Sequence, residues 1–170
     1  MRNVLTALMT TGALLGVAGG ASAGTKTTTF QVSATVNSNC VVGATMPALT
    51  FPAYTPGTGQ QTGTTTLSAK CTQGSAVTIS LNAGTTTGTS FAPRLLANGA
   101  NTLQYNIYTD ATYATVWGDG TGTTKTVTIT GTGMANTVSY TVNAVLPDNA
   151  ANQAVPTGTY TDTITATFSY

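Results

Sequence analysis

The stretch TYTDTITATFSY at positions 159–170 decides the fold of this chain, because apolar residues recur at every second position along it, apart from Asp162. Ile164, Ala166, Phe168 and Tyr170 are separated from one another by single threonine or serine residues. Successive side chains of a β-strand point to opposite faces of a sheet, so this period of two predicts a strand with one buried face.

A second alternating stretch, KTTTFQVSATV, lies at positions 26–36 near the other end of the chain. Phe30, Val32, Ala34 and Val36 fall on one face, and the opposite face is polar. The segment is either the first strand of its own sheet or an arm that adds a strand to another chain. An added strand needs apolar residues at every second position and no proline, which this segment provides. The residues alone leave both interpretations open.

The sequence between these ends is rich in threonine, a β-branched residue that suits pleated sheets, and keeps no helical period of apolar residues. Turn residues such as Pro56-Gly57 and Asn98-Gly99 divide it into short segments. About eight short strands at this spacing predict an all-β sandwich in one domain. Besides the two ends, strands are predicted near residues 48–54, 64–71, 76–82, 102–109, 125–130 and 137–145.

The first residues have the pattern of a secretory signal peptide. Arg2 supplies a positive charge, residues 4–18 are mostly apolar, and Ala21-Ser22-Ala23 fits the small-residue cleavage rule. We therefore expect cleavage after Ala23, with residues 24–170 exported. In an oxidising compartment the two cysteines, Cys40 and Cys71, favour one disulfide over two free thiols.

Several function classes lack their residues in this sequence. It contains no histidine and no glutamate, and its acidic residues are four aspartates in turns or at strand ends. A histidine-activated nucleophile or a zinc cluster therefore cannot be assembled, and we expect neither an enzyme nor a cofactor or metal. Basic residues are few and unclustered, which argues against binding to nucleic acid. Most of the aromatic residues are predicted to pack in the core rather than to form a sugar-binding platform; the set is Tyr105, Tyr108, Trp117, Tyr140 and Tyr160.

An ordered set of short motifs gives the chain a resemblance to a known family, the spore coat protein U domain, which is shared with subunits of archaic chaperone–usher pili. The resemblance covers residues 24–170, and two positions, Pro52 and Thr141, depart from the glycine that the family often has there. The motifs are Cys40, Leu49-Thr50-Phe51-Pro52-Ala53-Tyr54, Cys71-Thr72, Arg94-Leu95, Tyr105-Asn106-Ile107-Tyr108-Thr109-Asp110, Trp117-Gly118-Asp119-Gly120, Gly131-Thr132-Gly133, Tyr140, Pro147, Gln153, Gly158-Thr159-Tyr160-Thr161-Asp162 and Tyr170.

The resemblance implies an incomplete immunoglobulin-like β-sandwich, residues 37–170, that lacks its last strand and is completed by donor-strand complementation. A periplasmic chaperone fills the gap first, and residues 24–36 of the next subunit replace it after passage to an outer-membrane usher. The donor residues would be Phe30, Val32, Ala34 and Val36. The edge of the groove, captured by the chaperone, would carry Ile164, Ala166, Phe168 and Tyr170.

The implied function is that of a structural pilus subunit that forms a homopolymer on the cell surface and supports adhesion and biofilm formation. Two alternatives remain at this stage. One is a secreted adhesin or binding module with a complete sandwich, and the other is a coat protein of a spore or cell envelope.

Overall fold

The structure is a computed structural model that describes residues 23–43 and 46–170. The chain divides into two units, residues 1–35 and residues 36–170. In the first unit, residues 23–35 belong to no helix or strand and are exposed. Apart from Ala23, the predicted signal peptide lies outside the described residues. Within the described ranges, no helix is long and apolar enough to cross a membrane.

The regular secondary structure of the described part of the second unit is almost entirely β-strand, which confirms the all-β prediction. Its one short helix, α1 (Ala150–Gln153), follows the seventh strand and is capped by the Asn149 side chain. The strands are β1 (Cys40–Val42), β2 (Gln61–Cys71), β3 (Ala76–Leu81), β4 (Arg94–Asn98), β5 (Asn101–Tyr108), β6 (Val127–Thr130), β7 (Val138–Leu146) and β8 (Ala166–Ser169).

These strands form two antiparallel sheets. The larger sheet has the order β1-β2-β7-β5-β4, and the smaller has the order β6-β3-β8. The longest pairing joins β2 to β7, from Gln61 opposite Leu146 to Ala69 opposite Val138. Threonines on the exposed face of β2 alternate with buried residues, as expected for a strand with one face on a core.

The core contains Val77 and Ile79 of β3, both essentially inaccessible to solvent, together with Trp117 from a connecting loop. The Trp117 indole N–H donates to the Ile79 carbonyl (3.0 Å), which satisfies the polar atom of a buried ring. The Tyr140 ring meets the Trp117 ring edge to face. Tyr105 is also buried, so core packing is confirmed for Tyr105 and Trp117.

One buried side chain of the core is charged. The Arg94 guanidinium donates to the carbonyls of Asn82 (2.9 and 3.3 Å) and Trp117 (2.7 Å) and to the Asn106 side chain (3.1 Å). Burial lowers the pKa of Arg94. Because these acceptors come from three separate parts of the chain, Arg94 ties β4, β5 and the loops around β3 together.

The disulfide is present as the sequence favoured. Cys40 of β1 and Cys71 of β2 are bonded and lie directly opposite each other in the sheet. Gly131 packs against this corner: a Cβ at that position would collide with the Thr72 carbonyl and lie 2.9 Å from the Cys71 Cβ. The Gly131-Thr132-Gly133 motif therefore marks a place where the chain must pass close to the disulfide.

Several predicted boundaries differ from the observed ones. Residues 48–54 were expected to be a strand but belong to none, and Pro52 within them lacks the N–H of a ladder bond. Strands β1 and β4 and helix α1 were not predicted, because they are short and have no clear alternation. The C-terminal strand was predicted over 159–170, yet only Ala166–Ser169 pairs with β3, and Thr161 pairs separately with Ala97 of β4.

Candidate functional site

The second unit contains an open apolar groove of about 1110 Å³ that reaches into the core. Its floor is formed by inward-facing side chains of the larger sheet, among them Leu67, Tyr105, Ile107 and Val142. Its two walls are residues 46–54, here called the leading segment, and the C-terminal region that ends in β8. Among the described residues, the backbone of the leading segment and the outer edge of β8 have no strand partner.

The leading segment has the burial pattern of a strand without being paired as one. Leu49 and Phe51 are half-buried and pack on the core, whereas the residues beside them are exposed. The segment lies close to β2 because Gly63 has no side chain: a Cβ there would be 3.1 Å from the Thr50 carbonyl and 3.3 Å from the Leu49 and Phe51 side chains. Among the described residues, no backbone-to-backbone hydrogen bond involves this segment.

The opposite wall is the apolar face of the C-terminal strand. Ile164, Ala166 and Phe168 are half-buried, line the groove and alternate with exposed residues, as the sequence pattern required. β8 pairs with β3, with Phe168 opposite Ile79, and is the outermost strand of its sheet. Its other edge therefore presents N–H and C=O groups without a strand partner. Tyr170 is 56% exposed and is not among the residues that line the groove.

The candidate donor residues lie at the other end of the chain, and they are exposed. The exposed fractions are 85% for Phe30, 81% for Val32 and 82% for Val36, and Ala34 is exposed as well. Residues 23–39 belong to no strand. The interpretation of residues 26–36 as the first strand of their own sandwich is thus not what the structure contains.

Asp148 holds Tyr54, the last residue of the leading segment, which lines the groove. Its carboxylate accepts hydrogen bonds from the Tyr54 hydroxyl (2.6 Å), from the backbone N–H groups of Gly57 (3.0 Å) and Gly59 (2.8 Å), and from the Gln153 side chain (3.0 Å). These bonds, above all the one from Tyr54, hold the pKa of Asp148 well below its usual range. Burial and the bond to Asp148 raise the pKa of Tyr54 to about 12.

A second carboxylate anchors the C-terminal wall. Asp162 accepts from the Tyr105 hydroxyl (2.7 Å) in the groove floor and from the backbone N–H groups of Thr85 (2.9 Å) and Thr86 (3.3 Å). Burial, followed by the bond to Asp162, raises the pKa of Tyr105 strongly. Through these bonds the chain just before β8 is attached both to the larger sheet and to the loop after β3.

The sequence did not predict the hydrogen bonds made by the carboxylates of Asp148 and Asp162. Asp148 was recognised as part of a turn and Asp162 as part of a family motif, but the local sequence does not identify the groups that donate hydrogen bonds to them. The described residues contain no group of three or more histidine, cysteine, aspartate or glutamate side chains that could hold a metal ion. What the groove offers is apolar surface bounded by two unpaired backbone edges, which suits an added β-strand.

The fold and the groove define the class of protein: an all-β sandwich that is open along one side. The family model of the Spore Coat Protein U domain matches residues 26–167. This chain therefore belongs to the spore coat protein U domain family, as its motifs indicated. It is 32% identical to Protein U of Myxococcus xanthus over 164 residues, which covers 88% of each chain.

The fold is also similar to that of a solved pilus assembly protein. A chain in the crystal structure of the CsuC-CsuE chaperone–tip adhesion subunit pre-assembly complex, from the archaic chaperone–usher Csu pili of Acinetobacter baumannii, superposes with a TM-score of 0.55 at 18% identity. The match covers 80% of the present chain but 41% of that chain, so the present chain spans less than half of its length.

Proposed function

We propose that this protein is a structural subunit of a chaperone–usher pilus of the archaic type, in which residues 24–36 of one subunit fill the groove of the next. The observation that carries the proposal is the groove itself, which opens the core between the leading segment and β8. The family membership and the fold similarity support it.

Insertion of a strand would remove two defects of the isolated domain at once. Backbone groups of the donor would pair with the free edge of β8 and with the leading segment, and alternate donor side chains would cover the apolar floor. Phe30, Val32 and Val36 are almost fully exposed in the free arm. Their transfer into the groove would contribute about 5 kcal/mol in total, in addition to the new hydrogen bonds.

This mechanism assigns one role to the N-terminal arm and another to the rest of the chain. Residues 24–36 are the donor strand and residues 37–170 are the accepting sandwich, close to the division of the structure after residue 35. The role is structural, not enzymatic. The polymer is a homopolymer or is built with related subunits, and it supports surface adhesion and biofilm formation.

Export precedes assembly in this proposal. The signal peptide is removed after Ala23, and a periplasmic chaperone protects the groove by pairing with the edge formed by Ile164, Ala166, Phe168 and Tyr170. An outer-membrane usher then carries the subunit to the cell surface. The exposed Tyr170 side chain at the end of β8 leaves the terminal region accessible to such a partner.

Deletion of residues 25–36 tests the proposal. Co-expressed with its chaperone, the deleted chain should still be captured, because the groove and β8 remain, but it should form no fibres in electron micrographs. A matched control keeps the arm and replaces Gln31, Ser33 and Thr35 with alanine, which leaves the apolar face intact and should preserve fibres. Fibre growth by the deleted chain would exclude exchange through this segment.

A coat protein of the spore or cell envelope is the second candidate, favoured by the match to Protein U over 88% of both chains. Immunogold labelling of a continuous envelope layer, with no chaperone and usher genes beside the gene for this chain, would support it. The adhesin alternative assumed a complete sandwich and has less support, because the groove is open. Specific binding on a glycan array by a stable monomer would restore it.

A further inference from the structure

The leading segment is the less firmly held wall of the groove. It is attached near its start by the Thr65 hydroxyl, which donates to the Pro47 carbonyl (2.7 Å), and along its middle by the packing of Leu49 and Phe51. Among residues 23–43 and 46–170, no other hydrogen bond to its backbone keeps it straight and in register. Fixing one residue of free backbone costs roughly 1–2 kcal/mol of conformational entropy, so an unpaired wall of this length needs an anchor at its far end.

Asp148 supplies an anchor at that end. The Tyr54 hydroxyl, at the last residue of the segment, donates to Asp148, and the loop that follows donates through the N–H groups of Gly57 and Gly59. Both glycines have positive φ angles, 81° and 104°, which directs their N–H groups to one carboxylate. Tyr54 lines the groove, so the same bond orients a side chain of the wall itself.

The chain around Asp148 is itself held by hydrogen bonds to the larger sheet. It lies between β7 and α1, and the fully buried Asn152 of α1 fixes this turn to β5. The Asn152 side chain accepts from the Gln104 N–H (2.7 Å) and donates to the carbonyls of Gln104 (2.9 Å) and Pro147 (2.7 Å). Asp148 therefore connects a loop that has no ladder bonds to the central strands of the larger sheet.

We propose that the Asp148 carboxylate is a positioning residue for strand uptake: it holds the leading segment, through Tyr54 and the loop 55–59, as a preformed wall that an incoming donor strand can pair with. This inference rests on the proposed function. Its physical basis is preorganisation, because a strand that meets an ordered edge does not have to order that edge as it binds. Asp148 touches neither the donor nor the groove floor in this arrangement and acts only through the wall.

The test is the rate at which the refolded mature chain takes up a labelled synthetic peptide of residues 25–36, followed by fluorescence anisotropy. Asp148→Asn removes the charge and exchanges an accepting oxygen for a donor group. It should slow uptake at least tenfold and speed hydrogen–deuterium exchange within residues 46–54. Tyr54→Phe keeps the ring in the wall and loses only the hydroxyl, so it should slow uptake less, by about two- to fivefold.

Asp110→Asn is the matched control. Asp110 is half-buried like Asp148, and it accepts from the backbone N–H groups of Thr112 (3.0 Å), Ala114 (3.2 Å) and Thr115 (3.0 Å), but these contacts lie within its own loop, away from the groove lining. This variant loses the same charge and should take up peptide at the parent rate.

The outcomes separate the two proposals. If the parent chain takes up peptide and Asp148→Asn takes it up equally fast, the positioning role is overturned while the proposed function stands, even if the variant melts at a lower temperature. If Asp148→Asn does not fold, Tyr54→Phe takes its place in the test: uptake by this variant at the parent rate would overturn the positioning role. If the parent chain takes up no peptide at all, both the donor-strand function and the role of Asp148 are overturned.

Discussion

Moving one negative charge between neighbouring positions of the donor arm distinguishes two kinds of binding. In one, the arm inserts as a strand with its apolar face toward the groove floor, and in the other it binds through non-specific hydrophobic contact. Consider synthetic peptides of residues 25–36 that carry either Val32→Asp or Ser33→Asp. The two peptides have the same net charge and nearly the same composition, and the acceptor chain is untouched. They differ only in the face of the strand on which the carboxylate lies.

We expect a large difference in affinity between the two peptides, because the side chain at position 32 would be buried in the groove. In the free arm this side chain is 81% exposed, so insertion would remove most of its surface from water and contribute about 1.5–2 kcal/mol. A carboxylate in the same place loses that contribution and adds an effective desolvation penalty of several kcal/mol. A total of about 4 kcal/mol or more corresponds to roughly a thousandfold loss of affinity. A carboxylate at Ser33 stays in water and should change affinity by about twofold.

The assay is competition with fibre growth. The parent peptide should fill grooves that would otherwise accept the arm of another subunit, and light scattering during polymerisation of the mature chain reports the concentration that halves the growth rate. The Ser33→Asp peptide should inhibit like the parent peptide, and the Val32→Asp peptide should not inhibit at accessible concentrations. Equal inhibition by the two aspartate peptides would refute insertion with this face inward.

Three further predictions concern the stability of the domain. Arg94→Met leaves buried carbonyls without donors and should lower the free energy of unfolding in urea by about 3 kcal/mol or more; an unchanged midpoint would contradict the role assigned to this guanidinium. Gly131→Ala should cost about 2 kcal/mol through collision with backbone, against less than about 0.5 kcal/mol for the exposed neighbour Thr132→Ala; equal losses would contradict it. The pKa of Tyr54 is raised from 10.0 to about 12 in the folded chain, so the stability that its bond to Asp148 contributes is complete below pH 10 and lost as the pH rises through about 12. An ultraviolet titration of the parent against Tyr54→Phe should therefore differ near pH 12, and a difference near pH 10 would contradict the bond.

Much of the fold could be predicted from patterns among residues that are close together in the sequence. The alternation around Ile164 and Phe168 placed these side chains on the core face of a strand, and Asn98-Gly99 predicted a turn, which the structure has between β4 and β5. The pairing of Cys40 with Cys71 followed from the number of cysteines and the expected compartment. These features depend on residues a few positions apart, where the period of two and the turn chemistry act directly.

The site could be predicted only in part. Residues 48–54, which belong to the leading segment, were expected to form a strand, yet the local sequence cannot show whether a neighbouring strand exists to pair with them. Arg94 was recognised as part of a family motif, but a basic residue is usually exposed, and its burial depends on carbonyl groups that surround it from distant parts of the chain.

The sequence by itself determined that this is a β-protein, which faces of its segments are apolar, and that two segments, 26–36 and 159–170, have the same alternating pattern. Only the tertiary structure decided which of the two is paired in the sheet: Ala166–Ser169 lies in β8, whereas residues 26–36 belong to no strand. It alone also joined Tyr54 to Asp148, 94 positions apart. The physical reason is that alternation records what a strand can bury, while the partner that covers it is set by contacts between residues remote in sequence.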